Sequence, residues 1–419
     1  MRSSRALALA ALLILPTAVH AEDAPDSSFV TQGQLRALLD GMGEQTATMQ
    51  TDVDKLKKFK FSGYVQARAE VGEASSDSVK VTGATASSAG TFTAPNVSRF
   101  FIRRARLKLT YDSSPLSQAV VYLDGGADRT VRLLEAYVTL LDPWTALHAH
   151  RLTAGQFNVP FGFEIERSSS VRELPERSRA ENVLFSGERD RGLKLDSQWT
   201  DRFATSFALL NGGGVNSADF PTTDPTRGKD FTARARWSQG AWDVAGSWYF
   251  GHQTTPLTGP DLETDKTRWG ADAQVFFSLP RLGGGTLRGE CYAGHDVNAD
   301  SLKAIVVPVT SGPTSGARVI AAGRTGSHVA TDVLGGSLMV GQNVGERFQG
   351  VARWDAWDPN TDKDHDQYRR LSLGVNAFYD GFTRLTVAYD AISTEVAAGA
   401  GRWRDPHDNL WTFQLQHKF

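Results

Sequence analysis

Apolar and polar residues alternate with a period of two along most of this chain, from residue 59 to the C-terminus. The final segment, 410–419, shows the pattern most clearly, because Trp411, Phe413 and Leu415 alternate with threonine and glutamine. Successive side chains of a β-strand point to opposite faces of the sheet. The alternation therefore predicts strands that have one apolar face and one polar face.

Sixteen such runs can be traced in the sequence. They lie at 59–71, 99–111, 117–124, 131–141, 150–159, 191–200, 202–211, 231–239, 242–250, 268–279, 286–294, 332–342, 348–357, 367–379, 382–393 and 410–419.

The connections between the runs are alternately short and long. Tight turns alternate with long stretches such as 72–98, 160–190 and 295–331, a layout typical of an up-and-down membrane barrel. Charged residues occupy the polar face, and each would cost several kcal/mol in lipid, so the apolar face is expected to point outwards. The sequence predicts an all-β fold, a 16-stranded antiparallel transmembrane β-barrel over 59–419 in which the last strand pairs with the first and no edge is left.

The N-terminus has the features of a secretory signal. Arg2 and Arg5 precede an apolar run at 6–15, which is followed by Pro16 and by Ala21 as a cleavage site. The run is about half the length that a membrane-spanning helix needs. Residues 1–21 are therefore predicted to be a cleaved signal peptide that directs export.

A second pattern, with a period of seven, lies between the signal and the barrel. Leu35, Met42, Met49 and Leu56 are seven residues apart, which predicts a short coiled-coil helix within a periplasmic segment, 22–58. The helix could serve as a stalk for oligomerisation or tethering. Alternatively, it is an amphipathic helix that packs against its own domain.

Composition excludes several functional classes. Lys and Arg total 45 and Asp and Glu 47, so no basic excess suggests nucleic acid as a partner. The one cysteine, Cys291, provides no disulfide framework. No catalytic motif is found, so neither an enzyme nor a cofactor is expected.

The Asp-rich stretch 358–366 lacks the glycine and final glutamate of a calcium-binding loop, and is expected to be a solvated loop without metal.

Two groups of basic residues fall on the inward face and are candidates for an anion path. Same-face neighbours are about 7 Å apart along a strand, so successive cations can pass an oxyanion from one to the next. The alternative is that these cations pair with carboxylates of the wall. The candidates are Arg104, Arg106 and Lys108 on one strand, and Arg234 and Arg236 on another.

The stretch 161–190 joins the fifth and sixth runs and is predicted to fold inwards and narrow the pore. It contains five arginines and seven acids. This mixture makes a transverse field across a constriction as good an interpretation as an anion filter. Its candidate residues are Arg167, Arg172, Arg177 and Arg179.

Four blocks of sequence, in this order and spacing, resemble the phosphate-selective porins of the O and P type. They read RFFIRRARLKLTYD, LLEAYVTL, LTAGQFNVPFGFE and RDRGLKL. The resemblance covers 59–419 and implies a trimeric, sixteen-stranded outer-membrane channel that passes phosphate along interior arginines. It also implies a terminal aromatic residue that the assembly machinery reads, and many family members carry a short N-terminal coiled coil.

Together these observations predict an outer-membrane porin for passive diffusion of small hydrophilic solutes, with a preference for phosphate or other small anions. Its expected partners are outer-membrane lipids, lipopolysaccharide and two further copies in a homotrimer. The alternatives are a general or sugar porin without anion selectivity, a barrel-anchored surface enzyme or adhesin, and a protein that tethers the outer membrane to the cell wall.

Overall fold

The computed structural model describes residues 32–72, 98–126, 130–185, 187–215, 228–255, 262–296, 306–308, 318–320, 330–399, 402–405 and 408–419. The predicted signal peptide, 1–21, lies outside the described residues, as does most of the long connection 72–98. The chain divides into two compact units, 1–57 and 58–419.

The first unit contains one helix, α1, Gln32–Lys57. Lys55 and Lys57 in its last turn form ion pairs with Asp52 and Asp54. Cations at the C-terminal end of a helix also interact favourably with the helix dipole. Of the apolar residues that repeat every seven positions, Met42, Met49 and Leu56 are exposed in the single chain. The predicted helix is present, and its association into a coiled coil stays a prediction. In the described part of the chain, no helix is both long enough and apolar enough to cross a membrane.

The second unit is built from strands. In chain order the described strands are β1 Phe59–Gly72, β2 Ser98–Ser114, β3 Ser117–Asp124, β4 Arg132–Leu141, β5 His150–Asn158, β6 Arg189–Gln198, β7 Phe203–Leu210, β8 Asp230–Gln239, β9 Trp242–Thr255, β10 Leu262–Leu279, β11 Gly283–Asp296, β12 Val306–Pro308, β13 Arg318–Ile320, β14 Thr331–Val344, β15 Phe348–Asp358, β16 Tyr368–Phe378, β17 Thr383–Thr394, β18 Val396–Gly399, β19 Arg402–Arg404 and β20 Leu410–Lys418.

Sixteen of these strands close into one antiparallel barrel, each paired with the next barrel strand, so that β11 pairs with β14 and β17 with β20. The last strand, β20, pairs with β1, with Gln416 opposite Gln66. The terminal residue continues this ladder, because Phe419 and Gly63 exchange two backbone hydrogen bonds of 3.0 Å. No edge strand therefore remains in the barrel, and the predicted fold class is confirmed.

The two faces of each strand differ as the alternation predicts. On β20, Trp411 keeps 47% of its surface exposed, whereas Gln414 and Gln416 keep 1% each. The same division runs through β8, where Thr232 is buried and Trp237 is exposed. An apolar exterior and a polar interior are the arrangement expected of a barrel that spans a bilayer.

The structure differs from the sequence prediction mainly at strand ends. The β9–β10 hairpin runs to Thr255 and restarts at Leu262, six residues before the predicted start at 268. Two further hairpins, β12–β13 and β18–β19, lie within predicted loops. These segments form separate two-stranded sheets that do not pair with the barrel, so the two-residue pattern that marks the barrel strands does not extend to them.

Candidate functional site

The connection between β5 and β6 lies inside the barrel and is called the inward loop here, residues 159–188. It contains two short helices, α2 at Phe163–Glu166 and α3 at Arg179–Leu184. Its backbone is bound by distant wall strands: Phe163 N–H donates to Glu290 Oε1 at 2.7 Å, and Asn376 Nδ2 donates to the carbonyl of Glu173 at 3.0 Å. Since β16 lies opposite β5 and β6 in the order of strands, the loop crosses the interior.

An apolar cluster anchors one end of the inward loop to the wall. Phe161 and Ile165 are fully buried, the ring centres of Phe161 and Tyr292 are 6.0 Å apart, and Trp357 belongs to the same cluster. Burying a side chain of this size contributes roughly 2 kcal/mol. This anchor was not predicted from the sequence, although aromatic residues at inward-facing positions, such as Tyr249 and Trp357, indicate it.

Ion pairs fix the rest of the loop. Glu176 binds two wall arginines, Arg68 at 2.6 Å and Arg103 at 2.9 Å. On other strands Arg288 binds Glu173 at 2.9 Å, and Arg353 binds Glu164 at 3.3 Å. Acids of the loop are therefore paired with arginines of the wall, which holds the loop in one position across the barrel.

Three of the four predicted loop arginines are engaged within the protein. Arg167 pairs with Glu173 at 2.8 Å. Arg177 donates to the carbonyl of Glu164 at 2.9 Å, which joins two segments of the inward loop. The Arg179 guanidinium lies 5.3 Å from the ring centre of Tyr368. The fourth, Arg172, forms no hydrogen bond or ion pair with any residue that the structure describes.

Arg177 also forms a fully buried ion pair with Glu181 of α3, at 3.4 Å. Both groups lie in the loop, outside the membrane-spanning strands. Burial raises the pKa of Glu181 to about 7, against which Arg177 acts in the opposite direction. Burial lowers the pKa of Arg177 to about 10.

The inward-facing cations of the wall divide into paired and unpaired groups. Arg106 is bound to Asp124 at 2.8 Å, and Arg234 is bound by both of its terminal nitrogens to Asp272, at 2.5 and 3.1 Å. Arg236 is paired with Asp243. For these three arginines the structure favours the alternative interpretation, in which interior arginines pair with wall carboxylates.

The remaining two predicted residues lack a close carboxylate. Arg104 donates to the amide oxygen of Gln66 at 3.0 Å and approaches Glu176 only to 3.8 Å. Lys108 forms no ion pair within the described chain, and its Nζ lies 5.9 Å from the ring centre of Tyr122. The predicted column on β2 is therefore interrupted by a neutralised arginine between two less neutralised cations.

Charge is distributed unevenly across the interior. On the side of β1 and β2, Glu176 is shared by Arg68, Arg103 and Arg104, and Arg68 also pairs with Glu70 at 3.2 Å. On the side of β11, Glu290 forms no ion pair with a described residue and accepts hydrogen bonds from the backbone of α2. The side of β1 and β2, called the basic side here, therefore has more cations than close carboxylates, which favours anions there.

A small cavity of about 30 Å³ lies between the inward loop and the wall. Arg172, Glu173, Arg288, Glu290 and Arg353 contribute to its lining. Acidic and basic side chains therefore line the same narrow space, which has room for about one water molecule.

In the described ranges, no group of three or more His, Cys, Asp or Glu side chains is arranged to hold a metal ion. The Asp-rich stretch 358–366 forms a turn, in which Asp358 caps the N–H of Asn360 at 3.1 Å and Lys363 approaches Asp366 at 3.6 Å.

No family model and no curated protein matches this sequence. Solved structures resemble its fold. The outer membrane channel DcaP of Acinetobacter baumannii has a TM-score of 0.56 and 12% identity, over 86% of this chain and 97% of that chain. OprB of Pseudomonas putida has 0.58 and 12%, over 88% and 96%. The anion-selective porin from Comamonas acidovorans has 0.52 and 12%, over 86% and 99%. At these identities the likeness establishes a shared barrel fold.

Proposed function

We propose that this protein is an outer-membrane porin that admits small hydrophilic solutes by passive diffusion. The observation that carries the proposal is a closed barrel with an apolar exterior, whose charged interior is crossed by a loop tied to the wall by ion pairs. A loop so held narrows a pore without requiring catalysis. Conduction also requires weak binding, because a tightly held solute would block the path.

The same proposal assigns the location and the partners. The signal-like segment 1–21 directs export, and the apolar exterior meets outer-membrane lipids, with lipopolysaccharide on the outer side. The protein functions as a homotrimer, as the resemblance to the phosphate-selective porins implies, and the heptad repeat of α1 contributes to assembly.

For selectivity we propose a preference for small anions of the phosphate type. It is supported by the shared carboxylate on the basic side and by the incomplete neutralisation of Arg104, Arg172 and Lys108. The fold neighbour from Comamonas acidovorans is described as anion-selective, which is consistent with such a role for this barrel type.

A general or sugar porin without anion selectivity is the second candidate. The pairing of Arg106, Arg234 and Arg236 with wall carboxylates favours it, because a neutralised wall exerts little selection by charge. A transverse field across the constriction also fits a channel for polar solutes in general.

The experiment is single-channel recording of the purified protein in planar bilayers, combined with swelling of proteoliposomes in sugars and in salts of organic anions. Stepwise currents and faster swelling in anions than in uncharged sugars of similar size are expected. Equal swelling would favour the general porin. No conductance at all would reject the porin and favour a barrel that serves as an anchor for a surface enzyme, adhesin or envelope tether.

A further inference from the structure

Three buried arginines in the barrel interior lack adequate partners. The exposed fractions of Arg104, Arg172 and Arg384 are 4%, 6% and 8%, and Nε of each has no acceptor within hydrogen-bond distance among the described residues. Arg172 and Arg384 form no ion pair with any described residue. A buried charged donor without an acceptor costs free energy, so these arginines gain stability from any further acceptor that reaches them.

Two of these arginines belong to one row across four adjacent strands. Arg104 on β2 lies opposite Gln66 on β1, which lies opposite Gln416 on β20, which lies opposite Arg384 on β17. The side chains are joined in the same order: Arg104 and Arg384 both donate to glutamine oxygens, at 3.0 and 3.4 Å. With strands about 4.8 Å apart, the two arginine backbones are about 14 Å apart, which their long side chains can span.

The inward loop places the third arginine over this row. Gln66 Nε2 donates to the carbonyl of Ser169 at 3.2 Å, and Gln416 Nε2 donates to that of Ser170 at 2.9 Å. Arg172 follows two residues later and is close enough to Arg104 and Arg384 to repel both electrostatically. Arg104 and Arg384 therefore bind neutral amides, and Arg172 adds a third like charge beside them.

The nearest carboxylates are already committed to other cations. Glu176 is bound by Arg68 and Arg103, and approaches Arg104 only to 3.8 Å. Glu173 is bound by two further arginines. A bound anion would therefore neutralise charge that these carboxylates leave unbalanced.

We propose that Arg104, Arg172 and Arg384 form a binding site for a small oxyanion, either a phosphate or a carboxylate solute, at the tip of the inward loop. This proposal rests on the proposed porin function and adds the class of solute that the pore binds. Planar guanidinium groups match the paired oxygens of phosphate and carboxylate, whereas chloride offers no such pair. The site therefore binds oxyanions more tightly than chloride and slows them in passage.

The test measures how oxyanions block chloride current through single channels. Inorganic phosphate and succinate are added separately to the wild type and to the variants Arg172→Gln and Arg384→Gln, which lie on different elements in case one fails to fold. We expect either variant to raise the half-blocking concentration about tenfold, and Arg172→Lys to fall between them and the wild type because it keeps the charge but loses the paired donors. Lys194→Gln is the charge-matched control, since it removes one interior cation from β6, four strands from β2.

The outcomes separate the two proposals. Block by phosphate, succinate or both that is relieved in Arg172→Gln and Arg384→Gln supports the site, and the stronger blocker identifies the class of solute. Block of the same strength in the wild type, Arg172→Gln and Arg384→Gln, or no block of a conducting wild type, overturns the site but leaves the porin intact. Absence of channel steps in the wild type overturns the porin function itself.

Discussion

Gln66 on β1 and Gln416 on β20 join their side chains across the seam where the first and last strands of the barrel meet. Gln66 Nε2 donates to Gln416 Oε1 at 2.8 Å, and 350 residues separate the two along the chain. Both side chains are about 1% exposed, and each also binds a carbonyl of the inward loop. One pair of amides therefore links closure of the barrel to the position of the loop.

Gln416→Leu should weaken both the seam and the loop. The substitution keeps the volume but leaves Gln66 and Arg384 with fewer buried partners, at a cost of about 1–3 kcal/mol. Denaturant unfolding in detergent measures this cost. Leu415→Met on the exterior of the same strand is the control and should unfold like the wild type. Equal stability of all three proteins would contradict the role of the amide pair.

Gly162→Ala should displace the start of the inward loop. Gly162 has φ 63°, and an added Cβ would lie 2.1 Å from Glu290 Oε1. The left-handed conformation alone costs about 1 kcal/mol, and relieving the clash moves the backbone that Glu290 binds. We expect faster hydrogen exchange at Phe163 and Glu164. Gly350→Ala, where a Cβ meets nothing within 4 Å, is the matched control, and equal exchange in both variants would refute the prediction.

Glu176→Gln should increase anion preference. Glu176 is the carboxylate shared by Arg68, Arg103 and Arg104, so its removal leaves the basic side of the interior more positive. The ratio of chloride to potassium permeability, obtained from reversal potentials, should rise severalfold. Glu346→Gln, an exposed acid in a turn, should leave the ratio unchanged. A lower ratio in Glu176→Gln would show that the basic side does not control permeation.

The inward loop should become less stable as the pH rises through the weakly acidic range. Burial raises the pKa of Glu181 from 4.5 to about 7, so the folded loop binds this proton more tightly than the unfolded chain does. Stability from this group is full below pH 4.5 and is lost progressively up to about pH 7. Hydrogen exchange of α3, corrected for intrinsic rates, should show the trend in the wild type and lose it in Glu181→Gln. A parallel trend in both proteins would assign it to another group.

The column on β2 should contribute to selectivity through Arg104 more than through Arg106. Arg104→Gln removes a poorly neutralised cation and should lower anion preference. Arg106→Gln/Asp124→Asn removes a neutral pair and should change the permeability ratio by less than about twofold, since the net interior charge is retained. If the double variant loses more preference than Arg104→Gln, the paired arginine carries the selectivity.

The fold could be predicted because a single physical constraint repeats along the chain. Each barrel strand has apolar side chains towards lipid and polar side chains towards the interior, which imposes a period of two. A run such as 410–419 can therefore be recognised as a strand without knowing which strands it pairs with. Strand ends were less predictable. At the end of β9 and the start of β10, both faces of the strand are polar, so no alternation marks where the strand ends.

The site was predictable only in part. Parity places Arg104, Arg106 and Arg236 on the inward face, but it cannot say which carboxylate each one meets. That depends on the register between strands, as for Arg106 opposite Asp124, and on long-range contacts such as Arg68 with Glu176, 108 residues away. The apolar anchor around Phe161 was missed because its wall partners interrupt the polar face at isolated positions.

The most direct test of the account is the reversal potential of single wild-type channels across a planar bilayer with a tenfold gradient of potassium chloride. We expect discrete current steps that reverse near the equilibrium potential of chloride, because the less neutralised arginines admit anions more readily than cations. Reversal near the potassium potential would contradict anion preference, and a bilayer that shows no steps would contradict the pore.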